Sequence, residues 1–233
     1  MKRLLLLLAM LTLACTPGAF RMRAAQANSR LTIENVLTMM DHGAQNFRTL
    51  TADIEHLKYT AVVKDTSKES GHIFVRRDDK MRIEILQPDP RTILRSGDSL
   101  FVYTPKINRV EEFDLGKNRA LIDQYVRLGF GTKTEEMKKS YLITFLGEED
   151  LDQKKTAVLE LTPKSDQTRG QISKIQMWID EASWLPVEQK FFEASSGDYV
   201  LFHYSKMLEN LKIGDGKFKQ DWPKGVLRVK PTA

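Results

Sequence analysis

The stretch "GHIFVRRDDKMRIEILQPDP", Gly71 to Pro90, reads as two short strands around a charged turn. Ile73 and Val75 alternate with His72, Phe74 and Arg76, and beyond the turn Met81, Ile83 and Ile85 alternate with Arg82 and Glu84. A period of two puts each set on one side of a sheet. Continuing the first alternation places Arg77 on the side of Ile73 and Val75, which sets a guanidinium on the apolar face.

Outward from this pair the same period recurs. "LKYTAVV" alternates Leu57, Tyr59, Ala61 and Val63, and "RTILRSG", "SLFVYTP", "RVEEFDL", "YLITFLG", "TAVLELTP", "ISKIQMWID", "LPVEQKFFE" and "YVLFHYSKM" follow. Turn residues separate them, as in "SGD", "TPKIN", "PKSDQTRG" and "SSGD". The fold class is α+β, mostly β: an antiparallel meander long enough to curl into a barrel or half-barrel. Two segments have a helical period instead. From Leu31 to Phe47, Ile33, Val36, Leu37, Met40, Ala44 and Phe47 form one apolar stripe, with Thr32 as N-cap. In "NRALIDQYVRLGF", Leu121, Ile122, Tyr125 and Val126 share a face and Gly129 ends the run. A single mid-chain helix among strands packs outside the sheet or lies over the mouth of the barrel as a lid.

The N-terminus decides the compartment. Lys2 and Arg3 precede an apolar run, Leu4 to Ala14, which is too short to span a bilayer. This is an export signal with two competing cleavage sites. Ala25-Gln26-Ala27 starts the mature chain at Asn28, giving residues 1–27 as signal and 28–233 as one domain. "TLAC" instead ends a lipoprotein signal at residue 14 and makes Cys15 the acylated first residue. The whole chain carries 36 basic and 31 acidic residues, a net of +5. Residues 1–27 hold four of the bases and no acid, leaving 32 against 31. A nearly neutral mature chain gives no footing for nucleic acid. Cys15 is the only cysteine, so there is no intramolecular disulfide and the fold rests on its core.

Chemistry is sparse. His42, His56, His72 and His203 are scattered, without a metal-ligand spacing, and no nucleophile elbow or phosphate loop is present. No metal, cofactor or enzymatic activity is expected. What stands out is apolar surface: Ile73, Val75, Met81, Ile83, Ile85, Tyr141, Ile143, Phe145, Ile175 and Met177 fall on one face of their strands, with Ile179, Phe202 and Tyr204. Such residues are either ordinary core or the wall of a cavity for an apolar ligand.

The order of these segments resembles the periplasmic lipoprotein carriers of the LolA type and their LolB-like outer-membrane receptors. The resemblance rests on the N-terminal helix, Ala52-Asp53-Ile54, the Gly71–Pro90 pair, "LRSGDSLFVYTP", "MWIDEASWLPVEQKFFE" and the ending "NLKIGDGKFKQDWPKGVLRVKP". Asp78 stands where the family usually has proline, and Ser96-Gly97-Asp98 permutes its turn. The resemblance implies a half-open barrel covered by the N-terminal helix and a lid helix. It implies a monomeric periplasmic carrier that takes lipoprotein acyl chains, or a similar lipid, from an inner-membrane donor to an outer-membrane acceptor. On that reading the ten residues above are the lipid-binding wall. Leu121, Ile122, Tyr125 and Val126 form the lid, and Arg77 latches the lid through carbonyls at the end of helix 120–128. The alternative on the same fold is a lipid-sensing or regulatory module, tethered to a membrane through Cys15.

Overall fold

The computed structural model describes residues 31–116 and 128–231. Helix α1 (Ile33–Asn46) leads into β1 (Thr49–Thr60), β2 (Asp65–Arg76), β3 (Lys80–Gln87), β4 (Arg91–Ser96), β5 (Ser99–Thr104) and β6 (Arg109–Asp114). Helix α2 (Thr134–Ser140) then precedes β7 (Tyr141–Leu151) and β8 (Lys154–Pro163). A single helical turn, α3 (Asp166–Arg169), precedes β9 (Ile172–Asp180), β10 (Pro186–Glu193) and β11 (Tyr199–Glu209), and β12 (Leu227–Val229) closes the chain.

All twelve strands belong to one sheet, in the order β12-β6-β5-β4-β3-β2-β1-β11-β10-β9-β8-β7. Two meanders, β1 to β6 and β7 to β11, join where β1 pairs with β11. The sheet curves without closing, which is the half-barrel expected from the sequence. The terminal β12 departs from the antiparallel pattern and runs parallel to β6.

The opening motif folds as read. β2 and β3 pair with Ile73 opposite Ile83 and Val75 opposite Met81, and Asp79 takes a left-handed φ of 64° in the turn. Gly71 is required by closeness: a Cβ there would lie 1.9 Å from the Glu84 carbonyl oxygen, at a bulge in the β2–β3 ladder. Helix α1 also forms as read, with the Thr32 hydroxyl accepting from the Asn35 N–H.

Two readings are corrected. Val62 and Val63 lie in the exposed β1–β2 turn, not in a strand. Helix α2 is absent from the sequence reading; Asp41 of α1 holds its start, accepting from the Thr134 N–H and hydroxyl, both at 2.7 Å. The export signal, Cys15 and most of the lid helix, with Leu121, Ile122, Tyr125 and Val126, lie outside the described residues.

Three apolar clusters hold the sheet. Val36, Leu37 and Met40 of α1 pack on the concave face against Leu159, Leu161, Ile175, Met177 and Ile179. The other half of that face carries Leu50, Ile54, Ile73, Val75, Met81 and Tyr204, joined by Phe47 and Phe130. On the convex face Leu94, Phe101 and Val110 are covered by Phe218 and Trp222 from the C-terminal segment.

Candidate functional site: the cavity on the concave face

Helix α1 covers only the β7–β10 half of the concave face. Over the other half lies a cavity of about 250 Å³, just under the ~300–1,000 Å³ usual for small-molecule clefts. Ile54, Ile73, Met81 and Ile83 line it from β1 to β3, and Ile172, Phe191, Val200, Phe202 and Tyr204 line it from β9 to β11. The wall is aliphatic and aromatic throughout. Its one polar group is the Tyr204 hydroxyl, which donates to Gln189 Oε1 at 2.9 Å. Gln189 in turn donates to the Leu128 carbonyl at 2.8 Å. Burial pushes the Tyr204 hydroxyl pKa up, so it stays a neutral donor.

That chain of bonds seats the segment entering α2. Leu128 and Phe130 are buried, and the Phe130 ring meets Tyr204 edge-on at 5.1 Å. Gly129 has φ of 81°, and a Cβ on it would lie 2.7 Å from Met177 Cε, so only glycine lets the backbone approach the sheet this closely.

The residues expected as one wall are divided by α1. Ile73, Met81 and Ile83 line the cavity. Val75 and Ile85 are buried nearby, whereas Ile175 and Met177 are closed in beneath α1. Tyr141 and Ile143 line a second space of about 630 Å³ between α1, α2 and β7, bordered by Glu34, Asp41, Glu135 and Lys138. Phe145 packs against the α1 core. Ile54, Phe191, Val200 and Ile172 have no place in the sequence reading of the wall. The parity of Ile54, Phe191 and Val200 is available there, but the irregularity that brings Ile172 to this side, and the part of the face that α1 leaves open, are not.

The arginines are reassigned as well. Arg77 is exposed, and its Nη1 donates to the carbonyls of Gln45 at 3.1 Å and Phe47 at 3.5 Å. Helix C-terminal carbonyls are the expected acceptors, but these belong to α1. The strand ends at Arg76, and Arg77 reaches the C-terminal end of α1, which packs on the concave face. Arg76 lies on the convex side, where it bonds Asp78 at 2.7 Å and Asp215 at 2.6 Å over the Phe218 ring. Among the described residues the buried cation of the concave face is Arg95, 1% exposed and directly opposite Met81. Its neighbour Leu94 is buried on the convex side, so β4 is buried on both faces at this point and Arg95 is not a surface residue.

Comparison with known proteins gives the family. Residues 77–213, more than half of the chain, match a family model described as an uncharacterized protein. The chain belongs to that family. An uncharacterized protein of Methanocaldococcus jannaschii is 21% identical over 201 residues, which make up 86% of this chain and 55% of that protein. The chain thus spans about half the length of this curated relative. An uncharacterized conserved protein from Thermus thermophilus has the same fold, at a TM-score of 0.56 and 10% identity over 85% of this chain and 98% of its own. The crystal structure of MucB superposes at 0.50, with 11% identity over 84% of this chain and 64% of MucB. A LolA superfamily protein from Nitrosomonas europaea superposes at 0.42, with 15% identity over 82% and 99%. At these identities the likeness to the Thermus thermophilus protein and to MucB shows a shared fold alone.

Proposed function

We propose that the protein binds a lipid acyl chain in the concave cavity and acts as a non-enzymatic carrier in the periplasm of an envelope with two membranes. The observation that carries this reading is the cavity itself: nine apolar or aromatic side chains around a space large enough for part of one chain. Burying such a chain returns about 0.8 kcal/mol per CH₂. Hand-over without an energy source therefore requires donor, carrier and acceptor to hold the chain with similar affinity.

One feature supports release as well as binding. The Leu128–Phe130 segment is tied to the cavity wall through Gln189 and Tyr204, so an occupant pressing on Tyr204 acts on the segment that follows the lid region. Among the described residues no group of three His, Cys, Asp or Glu side chains is placed to hold a metal ion.

The test is binding of a fluorescent fatty-acid probe to wild type and to Ile83→Glu. A carboxylate in the wall must be desolvated or protonated, so the variant is expected to stay folded and bind at least ~10-fold more weakly. Equal affinity would remove the cavity from the account. Mass spectrometry of protein purified from its native envelope gives the mature N-terminus, Asn28 or acylated Cys15, and any lipid carried with it.

A further inference from the structure

Toward the β1–β2 turn the concave face changes from apolar to charged. His56 follows Ile54 on the inward side of β1, and its ring stacks on the cavity residue Phe202, centroids 4.8 Å apart and planes 15° from parallel. Glu69 is its direct cross-strand partner on β2. Arg91 begins β4 opposite Ile85, one inward position beyond Ile83. These side chains form one cluster. Arg91 Nη1 and Nη2 donate to the two Glu69 carboxylate oxygens, each at 2.5 Å, and His56 Nδ1 lies 2.8 Å from Glu69 Oε2.

The bonding leaves a defined set of groups unspent. A carboxylate only accepts, so His56 Nδ1 carries the proton and Nε2 faces away from Glu69. Both Arg91 terminal nitrogens are engaged, while its Nε–H has no acceptor among the described residues. Arg91 neutralises Glu69. Lys58, next along the inward side of β1 and opposite the cavity residue Val200, has no ion-pair partner among the described residues. The rim therefore holds one uncompensated positive charge and free N–H donors, directly beside an apolar wall. No hydroxyl bonds His56 Nε2 among the described residues, so the pair lacks the nucleophile that hydrolysis would need.

We infer that Lys58 and Arg91, positioned beside the His56–Glu69 pair, form a head-group site at the cavity rim, selecting a single-chain amphiphile whose head is anionic, a carboxylate or a phosphate. The chain lies along Phe202 and Ile54, and the head meets Lys58 and the Arg91 Nε–H, while His56, whose Nε2 is an acceptor in this tautomer, holds the Glu69 carboxylate in place. A cationic head would meet the Lys58 charge and find Glu69 already saturated. A neutral head gains only ordinary hydrogen bonds.

This inference rests on the cavity holding an acyl chain, and the test separates the two. The full chain is titrated, below micelle-forming concentration, with palmitate, with 1-palmitoyl lysophosphatidic acid and with neutral monopalmitoylglycerol. The readout is displacement of an uncharged fluorescent probe. The expected result is at least ~10-fold tighter binding of the anionic ligands than of the neutral one, with the tighter of the two anions identifying the head. Lys58→Glu, an exposed change, is expected to erase that preference while the neutral ligand binds as before, and Arg91→Gln to reduce it. Equal binding of all three ligands to wild type, or an equal loss of all three in Lys58→Glu, overturns the head-group site and leaves the cavity reading intact. No binding of any ligand overturns both.

Discussion

The two halves of the concave face are built from the same alternating strands and end in opposite states. Under α1, Leu159, Leu161, Ile175, Met177 and Ile179 are fully buried against Val36, Leu37 and Met40. Across β1 to β3 and β10 to β11, Ile83 and Phe202 remain part-exposed around an open cavity. Alternation assigns a side chain to a face; only the element laid on that face decides whether it becomes core or wall. The helix that completes one half is what leaves the other available for a ligand.

Removing side chains should expose this difference. Truncating Met177 or Leu161 to alanine in the filled half is expected to cost about 2–5 kcal/mol in chemical denaturation, with probe affinity little changed while the protein stays folded. In the open half, Ile83→Ala is expected to cost less stability, because the site already borders empty space, and to weaken the probe. Equal stability losses in the two halves would mean that the cavity closes in solution.

The two arginines sharpen the same contrast. Arg95→Met changes the interior of the concave face and is expected to alter probe affinity and off-rate. Arg77→Met removes only a surface cap on α1, with an expected cost below ~1 kcal/mol and unchanged probe binding. A reversed outcome would restore Arg77 to the ligand pathway.

The smallest expected effect lies on the convex face. His203 sits between Glu188 at 3.1 Å and Asp152 at 3.0 Å, and the hydrogen bond to Glu188 raises its pKa above the ordinary histidine value. A raised folded-state pKa means stabilisation that is complete below about pH 6.5 and lost as pH rises through the folded value. For a partly exposed group this is worth at most about 1 kcal/mol. His203→Gln should flatten that part of the stability–pH curve without touching probe binding, as read by denaturant midpoints from about pH 5 to about pH 9.

The fold was legible because its signals are local. The glycine at position 71, the charged turn after Arg76 and the apolar stripe of α1 each act within a few residues, and each formed as read. The division of the wall was not legible, because it depends on where α1 docks on strands distant in the chain. Arg77 was assigned to carbonyls of helix 120–128, whereas the carbonyls it bonds belong to the end of α1, a docking that no local pattern gives. Arg95 was missed because an arginine between Leu94 and Ser96 looks like an ordinary outward position until residues 94 and 95 are seen to be buried on opposite faces of β4. The rim cluster escaped for a related reason. The sequence reading followed Leu57 and Tyr59 on β1, whereas Tyr59 stacks on Tyr199 and the cavity side carries Ile54, His56 and Lys58.

The most direct test of the central claim is photo-crosslinking with a fatty acid that carries a diazirine near its methyl end, followed by peptide mass spectrometry. An acyl chain in the concave cavity should label peptides containing Ile54, Ile73–Ile83 and Phe191–Tyr204, and excess unlabelled palmitate should abolish that labelling. Labelling confined to Leu142, Ile143 and the α1–α2 space, or labelling that palmitate does not compete away, would contradict the assignment of the open half of the sheet as the lipid site.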